Sequence, residues 1–501
     1  MSKYRLPLVL FLIVSTGTFL RLLNLGKECL WLDEAISYYR GLMSLPSIIQ
    51  ASYGWDFHPP TYYFIMHFVT QFGRSEATLR LFSVICGVLA IPVFYKLSQH
   101  MMGKREAVIS AFLLSISVYH IRYSQEARVY SLFFLASVFS LLFFYRAFIT
   151  QRRRDWFLWA GISLVNFYIH YFSLVLLLSQ VFFYIFHVIR KKTYRHPFRD
   201  QRWFLLGLLI IFIGCAPQIL FFIQQASSRI DTKTVFWRPA NPIHFVLIFL
   251  KNVVSPVKLL NPLLERGLKY LVGGLIFLGI LAGWRRYREA ILFNCALIFF
   301  ALLFAWTSSF LLYFSGTFRH VIFLAAPFLL LMTLSVAAVA DVIVRCYDKI
   351  YERFVRVERS PLRGWRNILT GLVLFVFCIP SFYVLPFYYK GPRKADWRAG
   401  LSHLVEHFRE SDVIVPIPGW ADYVVRYYIS DYGIAPRIIK MNKLSSTQMD
   451  SLITEHRGVF FITDGHLSAS PLRDEMDKWL DQKTTLIWRD SHFSRSAVWK
   501  K

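Results

Sequence analysis

The sequence predicts an α-helical polytopic membrane protein with interfacial helices in its first external loop and a small α/β domain at its C-terminal end. Three observations point there. Of 501 residues, 56% are hydrophobic and 18% aromatic, and the mean hydropathy is positive, more apolar than an ordinary soluble domain. Apolar stretches of the ~20 residues that cross a hydrocarbon core recur up to about residue 385 and then stop. The basic residues gather in every second loop between those stretches.

Taken in order, the predicted spans run over residues 5–24, 79–99, 107–121, 131–149, 156–170, 172–189, 203–223, 266–284, 289–308, 320–345 and 366–385. That is about eleven spans, within a range of roughly ten to thirteen. The first stretch lacks a small-residue cleavage site and runs directly into a charged motif, so it reads as a retained span rather than a secretory signal. Pro59 to Gly73 is apolar, but making it a span would invert every later loop. It reads as an interfacial helix.

A net charge of +27 on one soluble surface would suggest a nucleic-acid partner. Here the charge is distributed instead: Lys3 and Arg5, Lys104 and Arg105, Arg152 to Arg154, then Arg190, Lys191, Lys192, Arg195, Arg199 and Arg202. Arg285, Arg286 and Arg288 follow, then Arg345, Lys349, Arg353, Arg356, Arg359, Arg363 and Arg366. These are the cytoplasmic loops of the positive-inside rule, which excludes nucleic acid and puts the N-terminus inside. Residues 25–78, 122–130, 224–265, 309–319 and 386–501 then lie on the extracytoplasmic side of a cell inner or plasma membrane.

The chain divides at 385 into a transmembrane domain (1–385) and a soluble extracytoplasmic α/β domain (386–501). In the latter, apolar runs at Val413–Pro416 and Val459–Thr463 read as strands, flanked by helices over 395–408 and 472–480 and closed by a hairpin over 484–499. The six cysteines (29, 86, 215, 295, 346 and 378) form no CxxC pair, so neither a disulfide framework nor a zinc knuckle follows.

Chemistry is sought in the outer loops. Glu28-Cys-Leu-Trp-Leu-Asp33-Glu34 places adjacent carboxylates just after the first span. One could take a proton while the other orients a ligand or metal, or both could complement a helix dipole from its first turn. Arg122-Tyr-Ser-Gln125-Glu126-Ala-Arg128-Val-Tyr130 sets an acid and a base between two spans, a solvated interfacial pair or part of the same site. Asp56-Phe-His58-Pro-Pro fixes a histidine before the interfacial helix; it could meet phosphate or be simply exposed. Arg319 in Phe318-Arg319-His320 could hold a phosphate bidentately or snorkel to the interface. Phe236 and Trp237 in the long outer loop read as interface-belt aromatics.

In this order, WLDEAISYY, DFHPPTYYF, LRLFSVICGVL, YSQEARVYS and FRHVIFLAAP resemble the GT-C glycosyltransferases of the protein O-mannosyltransferase-like group. That group includes the bacterial enzymes that move aminoarabinose or hexoses from polyprenyl phosphate. The stretch from Lys394 to Phe408 is similar to the start of the soluble domain that many bacterial members append. The resemblance implies an inverting transfer from a polyprenyl-phosphate-linked sugar to a lipid, glycan or protein hydroxyl. Asp33 matches the general base, Glu34 a substrate or metal contact, and Glu126 the acid that arranges acceptor or metal. Arg128, Arg319 and His58, with Tyr130, become the phosphate-binding candidates. His58 stands where some relatives carry Lys, and Phe57 where they carry Glu. A divalent metal on Asp33, Glu34 and Glu126 is the candidate cofactor.

Two other classes compete. A transporter would place ionisable or broken-helix elements near the midplane, whereas Arg21, Asp33, Glu126 and Arg319 concentrate at outer span ends. A noncatalytic binder of polyprenyl-phosphate-linked saccharides would use the basic and aromatic groups without the acids.

Overall fold

A computed structural model describes residues 5–53, 58–191, 201–230, 253, 262–311, 318–355, 362–417, 419–440, 446–463, 471–490 and 496–501. Asp56 and Phe57, Phe236 and Trp237 with most of their loop, and Lys3, Lys192, Arg195, Arg199, Arg356 and Arg359 lie outside the described residues. The helices are α1 (Arg5–Leu22), α2 (Leu32–Gly41), α3 (Leu45–Ser52), α4 (Thr61–Val69), α5 (Glu76–Met101), α6 (Lys104–Ile116), α7 (Val118–Ser124), α8 (Tyr130–Thr150) and α9 (Arg153–Ile169). They continue as α10 (Ser173–Lys191), α11 (Arg202–Ile230), α12 (Pro262–Leu311), α13 (Ala325–Val355), α14 (Leu362–Lys390), α15 (Trp397–His407), α16 (Asp422–Ile429), α17 (Ser446–Glu455) and α18 (Pro471–Lys483). Five strands follow among them: β1 (Val413–Ile417), β2 (Arg437–Ile438), β3 (Val459–Thr463), β4 (Thr485–Arg489) and β5 (Ala497–Lys500).

The chain forms two compact units, one of Met1–Leu23, Leu45–Phe64 and Arg80–Tyr388, the other of Asn24–Ser44, Ile65–Leu79 and Tyr389–Lys501. The first is a helical membrane domain. Among the described residues, 7 helices are long and apolar enough to cross a bilayer, or 8 if α6 and α7, bent by 57° at their break, make one span. The protein is therefore a multi-pass membrane protein. Each predicted span has a helix at its position, and the one expected over 107–121 is broken at Ser117. Ser117 takes an extended ψ of 108°, and its hydroxyl accepts the His120 amide, an N-cap that starts α7 in a new direction.

Within α12, Arg266–Phe304, 39 residues, would be ~58 Å long as one straight helix, about twice the hydrocarbon core. Its direction reverses across Tyr287, which leaves helical geometry (φ −116°, ψ 20°). Before it, Ile276 and Arg286 contact Ser335 and Asp341, running parallel to α13. After it, Glu289, Phe293 and Phe300 meet His187, Phe183 and Phe182 in turn, running antiparallel to α10. That register is the one expected of the predicted pair 266–284 and 289–308.

The turn is pinned by ions. Asp341 on α13 receives Arg105 of α6 at 3.3 Å, Arg366 of α14 at 2.6 Å, and Arg286. Glu106 takes Arg286 at 3.3 Å and the Tyr287 hydroxyl at 2.7 Å. Four helices are thus tied at the Arg-rich end of the unit.

The second unit is built on a five-stranded sheet of order β2-β1-β3-β5-β4. β1 pairs in parallel with β2 and β3, β5 antiparallel with β3, and β4 antiparallel with β5. The predicted strands, hairpin and flanking helices are all present, with Val413, Val415, Val459, Phe461, Trp479, Leu480 and Trp499 in the core. Residues 24–44 and 65–79 fold with this sheet. Glu28 Oε2 accepts the backbone amides of Arg393 and Lys394, both at 3.1 Å. Tyr428 accepts the Leu30 amide at 2.5 Å and donates to Glu76 at 3.0 Å, and Arg398 pairs with Glu76 at 3.3 Å. Burial pushes the Tyr428 hydroxyl well above the usual phenol range, with Cys29 and Glu76 adding to the effect. Tyr39, half-buried beside Tyr38, is pushed up to about 12 by burial.

Candidate functional site

A cluster of polar and aromatic side chains forms in the first unit at the span ends opposite Asp341. Four chain breaks supply it: His58 before Pro59 and Pro60 at the start of α4, Arg128 and Tyr130 where α8 begins, His170 between α9 and α10, and Arg319 and His320 on the short 3₁₀ turn before α13. Helix ends concentrate there because each pair of antiparallel spans must reverse, and at a reversal polar side chains can leave the hydrocarbon.

The geometry is compact. The His58 ring centroid lies 5.3 Å from that of His170 and 6.0 Å from that of His320, and the latter two are 5.5 Å apart. One ligand atom on each of the three falls within 4.8 Å of the others. Tyr130 is 6.3 Å from both His170 and His320. The guanidinium carbons of Arg128 and Arg319 sit 6.0 and 5.7 Å from the Tyr130 ring centroid. All four predicted phosphate-binding side chains, His58, Arg128, Tyr130 and Arg319, are therefore brought together in one cluster. Phe133 stacks on His170 at 4.5 Å and Phe172 packs at 5.3 Å from His320, forming its apolar wall.

His170 reveals what the pocket can bind. Its Nδ1 accepts the Phe172 amide at 3.1 Å, so in the neutral ring the proton resides on Nε2. A metal ligand would need a bare nitrogen there; a protonated one is a donor. The three histidines with two guanidinia suit an oxyanion rather than a cation.

Glu126 lies in the non-helical stretch between α7 and α8 and is buried. It is held by Arg122 at 3.7 Å, and the Tyr123 ring packs 5.7 Å from the Arg122 guanidinium and 5.3 Å from Tyr130.

Asp33 and Glu34 belong to the second unit, in the first turn of α2. Glu34 is fully buried; its Oε2 receives Lys394 Nζ at 2.6 Å and the Trp31 amide at 3.3 Å, which closes the helix start as a capping residue does. A carboxylate so engaged does not fit a divalent metal ligand, and no step is assigned to one. The Asp33 side chain is partly exposed, and its carbonyl accepts the Ser37 hydroxyl at 2.9 Å.

The sequence motifs do not single out His170 or give His320 a role. The first was hidden in an apolar run, where its one signal is a polar residue at the junction of two adjacent spans. The second sits beside Arg319 in a motif already noted.

A polytopic helical unit with a cationic, histidine-lined pocket at its span ends and a second α/β unit defines a class, and comparisons give its relatives. The family model of dolichyl-phosphate-mannose-protein mannosyltransferases matches residues 57–221. No curated protein matches the sequence. ArnT from Cupriavidus metallidurans in the apo state is similar with a TM-score of 0.61 at 11% identity, over 98% of this chain and 97% of that one. The same protein bound to undecaprenyl phosphate gives 0.59 at 12%, with coverage of 98% and 97%. The oligosaccharyltransferase AglB from Archaeoglobus fulgidus, in complex with an inhibitory peptide and a dolichol-phosphate, gives 0.52 at 13%, over 92% of this chain and 69% of that one. The chain has the GT-C fold of these glycosyltransferases.

Proposed function

We propose that the protein transfers a sugar from a polyprenyl-phosphate-linked donor to a hydroxyl of a lipid, glycan or protein acceptor, with inversion, at the extracytoplasmic face. The observation that carries this is the convergence of Arg128, Arg319, Tyr130, His58, His170 and His320 at the end of the membrane unit opposite its Arg-rich end. A polyprenyl phosphate keeps its chain in lipid and its phosphate at the boundary, where fixed cations meet it. The acceptor oxygen attacks the anomeric carbon as the bond to the phosphate oxygen breaks. The leaving phosphate gains charge, and donors already oriented toward it are worth most at that moment. The acceptor proton passes to Asp33 as general base. Glu126, buried beside Arg122, is the second acid of the reading and arranges the acceptor. The Arg-rich loops support a cytoplasmic N-terminus and an outward-facing second unit.

The test is Asp33→Asn in purified protein, with transfer from a polyprenyl-phosphate-linked sugar followed by mass spectrometry. Transfer should fall by about 10²-fold or more while binding of polyprenyl phosphate persists. Unchanged turnover in a folded variant would remove Asp33 from the chemistry; failure of the unaltered protein to bind polyprenyl phosphate would remove the donor.

A further inference from the structure

Gln125 takes no part in the transfer step, yet it is 3% exposed and both ends of its amide are engaged. Its Nε2 donates to the carbonyls of Arg21 at 3.0 Å and Leu23 at 2.8 Å, at the end of α1 where C=O groups have no helical partner. Its Oε1 accepts the hydroxyl of Tyr388, on α14, at 2.8 Å.

Arg21 does the reciprocal work. Wholly buried on α1, it donates to the carbonyls of Leu114 at 3.2 Å and Ser115 at 3.0 Å, at the end of α6. It also reaches Gly17 O at 2.8 Å and His120 Nδ1, on α7, at 2.7 Å. The open carbonyls of α1 are therefore taken by a side chain from the end of α7, and those of α6 by a side chain from α1. The 57° break between α6 and α7 is clamped from both sides rather than left as a hinge, since kinks persist where freed backbone groups are re-satisfied.

Only two residues, Glu126 and Ala127, separate Gln125 from Arg128. Within that stretch the Arg128 amide bonds to the Glu126 carbonyl at 2.8 Å, and the Arg128 carbonyl accepts the Ser83 hydroxyl at 3.2 Å. The backbone has no slack in which a displaced Gln125 could be absorbed before the pocket.

We propose that Gln125, backed by Arg21 and Tyr388, is a positioning residue that sets where Arg128 enters the cationic pocket and thereby how tightly the donor phosphate is held. This rests on the donor reading above. The clamp touches no substrate; it acts through Arg128.

A double-mutant cycle tests it, using binding of polyprenyl phosphate to the full-length protein in nanodiscs. Gln125→Ala should weaken binding about tenfold, the order expected when one hydrogen bond from a charged group is misaligned. In an Arg128→Ala background the same change should add nothing, an outcome that general loosening of the fold would not produce. Tyr388→Phe, which removes a single hydroxyl and keeps the ring packing, should weaken binding in the same direction and be equally silent without Arg128, so the test stands if Gln125→Ala does not fold. Equal binding by both variants, or equal losses with and without Arg128, would overturn the clamp while leaving the donor reading intact. Absence of binding in the unaltered protein would overturn that reading and the clamp with it.

Discussion

Replacing Lys394 by Met asks what holds the start of α2. Glu34 has no exposure and Lys394 only 11% of its side chain, with 2.6 Å between Nζ and Oε2, so neither solvent nor salt can take over when one partner is lost. Methionine fills most of the lysine stem's volume and removes the ammonium. An uncompensated buried carboxylate costs about 3–5 kcal/mol, and the low end applies because the Trp31 amide at 3.3 Å still donates to the same oxygen. In a unit of about 150 residues, ~3 kcal/mol corresponds to a fall in unfolding temperature of roughly 6–12 °C. Intrinsic fluorescence during heating of the detergent-solubilised protein reads it. Adding Glu34→Gln should recover most of the loss, because a neutral amide can stay buried. If Lys394→Met melts within about 1 °C of the unaltered protein, the ion pair is not what closes this helix, and Glu34 becomes available for chemistry.

Two further outcomes are expected. Gly41→Ala would bring a Cβ to 2.9 Å from the backbone carbonyl of Met66, which cannot move aside; a loss of about 1–3 kcal/mol should register in the same melting assay, and an unchanged melt would mean that α2 and α4 are less closely packed than this. Cys346 is exposed near the Arg-rich end of α13, whereas Cys29 is buried with its thiol pushed up by that burial. A membrane-impermeant maleimide near neutral pH should modify Cys346 from the cytoplasmic side only and spare Cys29 until denaturant is added; labelling of Cys346 from outside would invert the proposed orientation.

Much of the fold was legible because a bilayer makes hydropathy a nearly sufficient signal. The span expected over 107–121 and the pair expected over 266–308 each lie on a helical segment, and what escaped was how the chain bends within them. Ser117 and Tyr287 carry no breaker signature: their breaks are stabilised by Arg21 and by Glu106, partners distant in sequence. The sheet was visible in Val413–Ile417 and Val459–Thr463 because buried parallel strands read as unbroken apolar runs. β2, two residues long, offered no pattern.

The phosphate-binding candidates were legible one at a time, as basic or aromatic groups at span ends. His170 was not, since a lone histidine in the aromatic run NFYIHYFS looks like core. Glu34 shows the reverse case: beside Asp33 in sequence, it could be given the same kind of work, but the partner that occupies it, Lys394, lies 360 residues downstream. The alternative of a first-turn acid describes its observed contacts.

That separation also has a consequence in time. Chains emerge from the ribosome N-terminus first, so the segment bearing Asp33 is made long before Lys394, Tyr428 and Arg398 exist. Until they arrive, Glu28, Glu34 and Glu76 have none of the contacts that complete the second unit. The proposed base thus acquires its final surroundings last, and a nascent chain whose membrane helices are already in place still lacks a finished second unit.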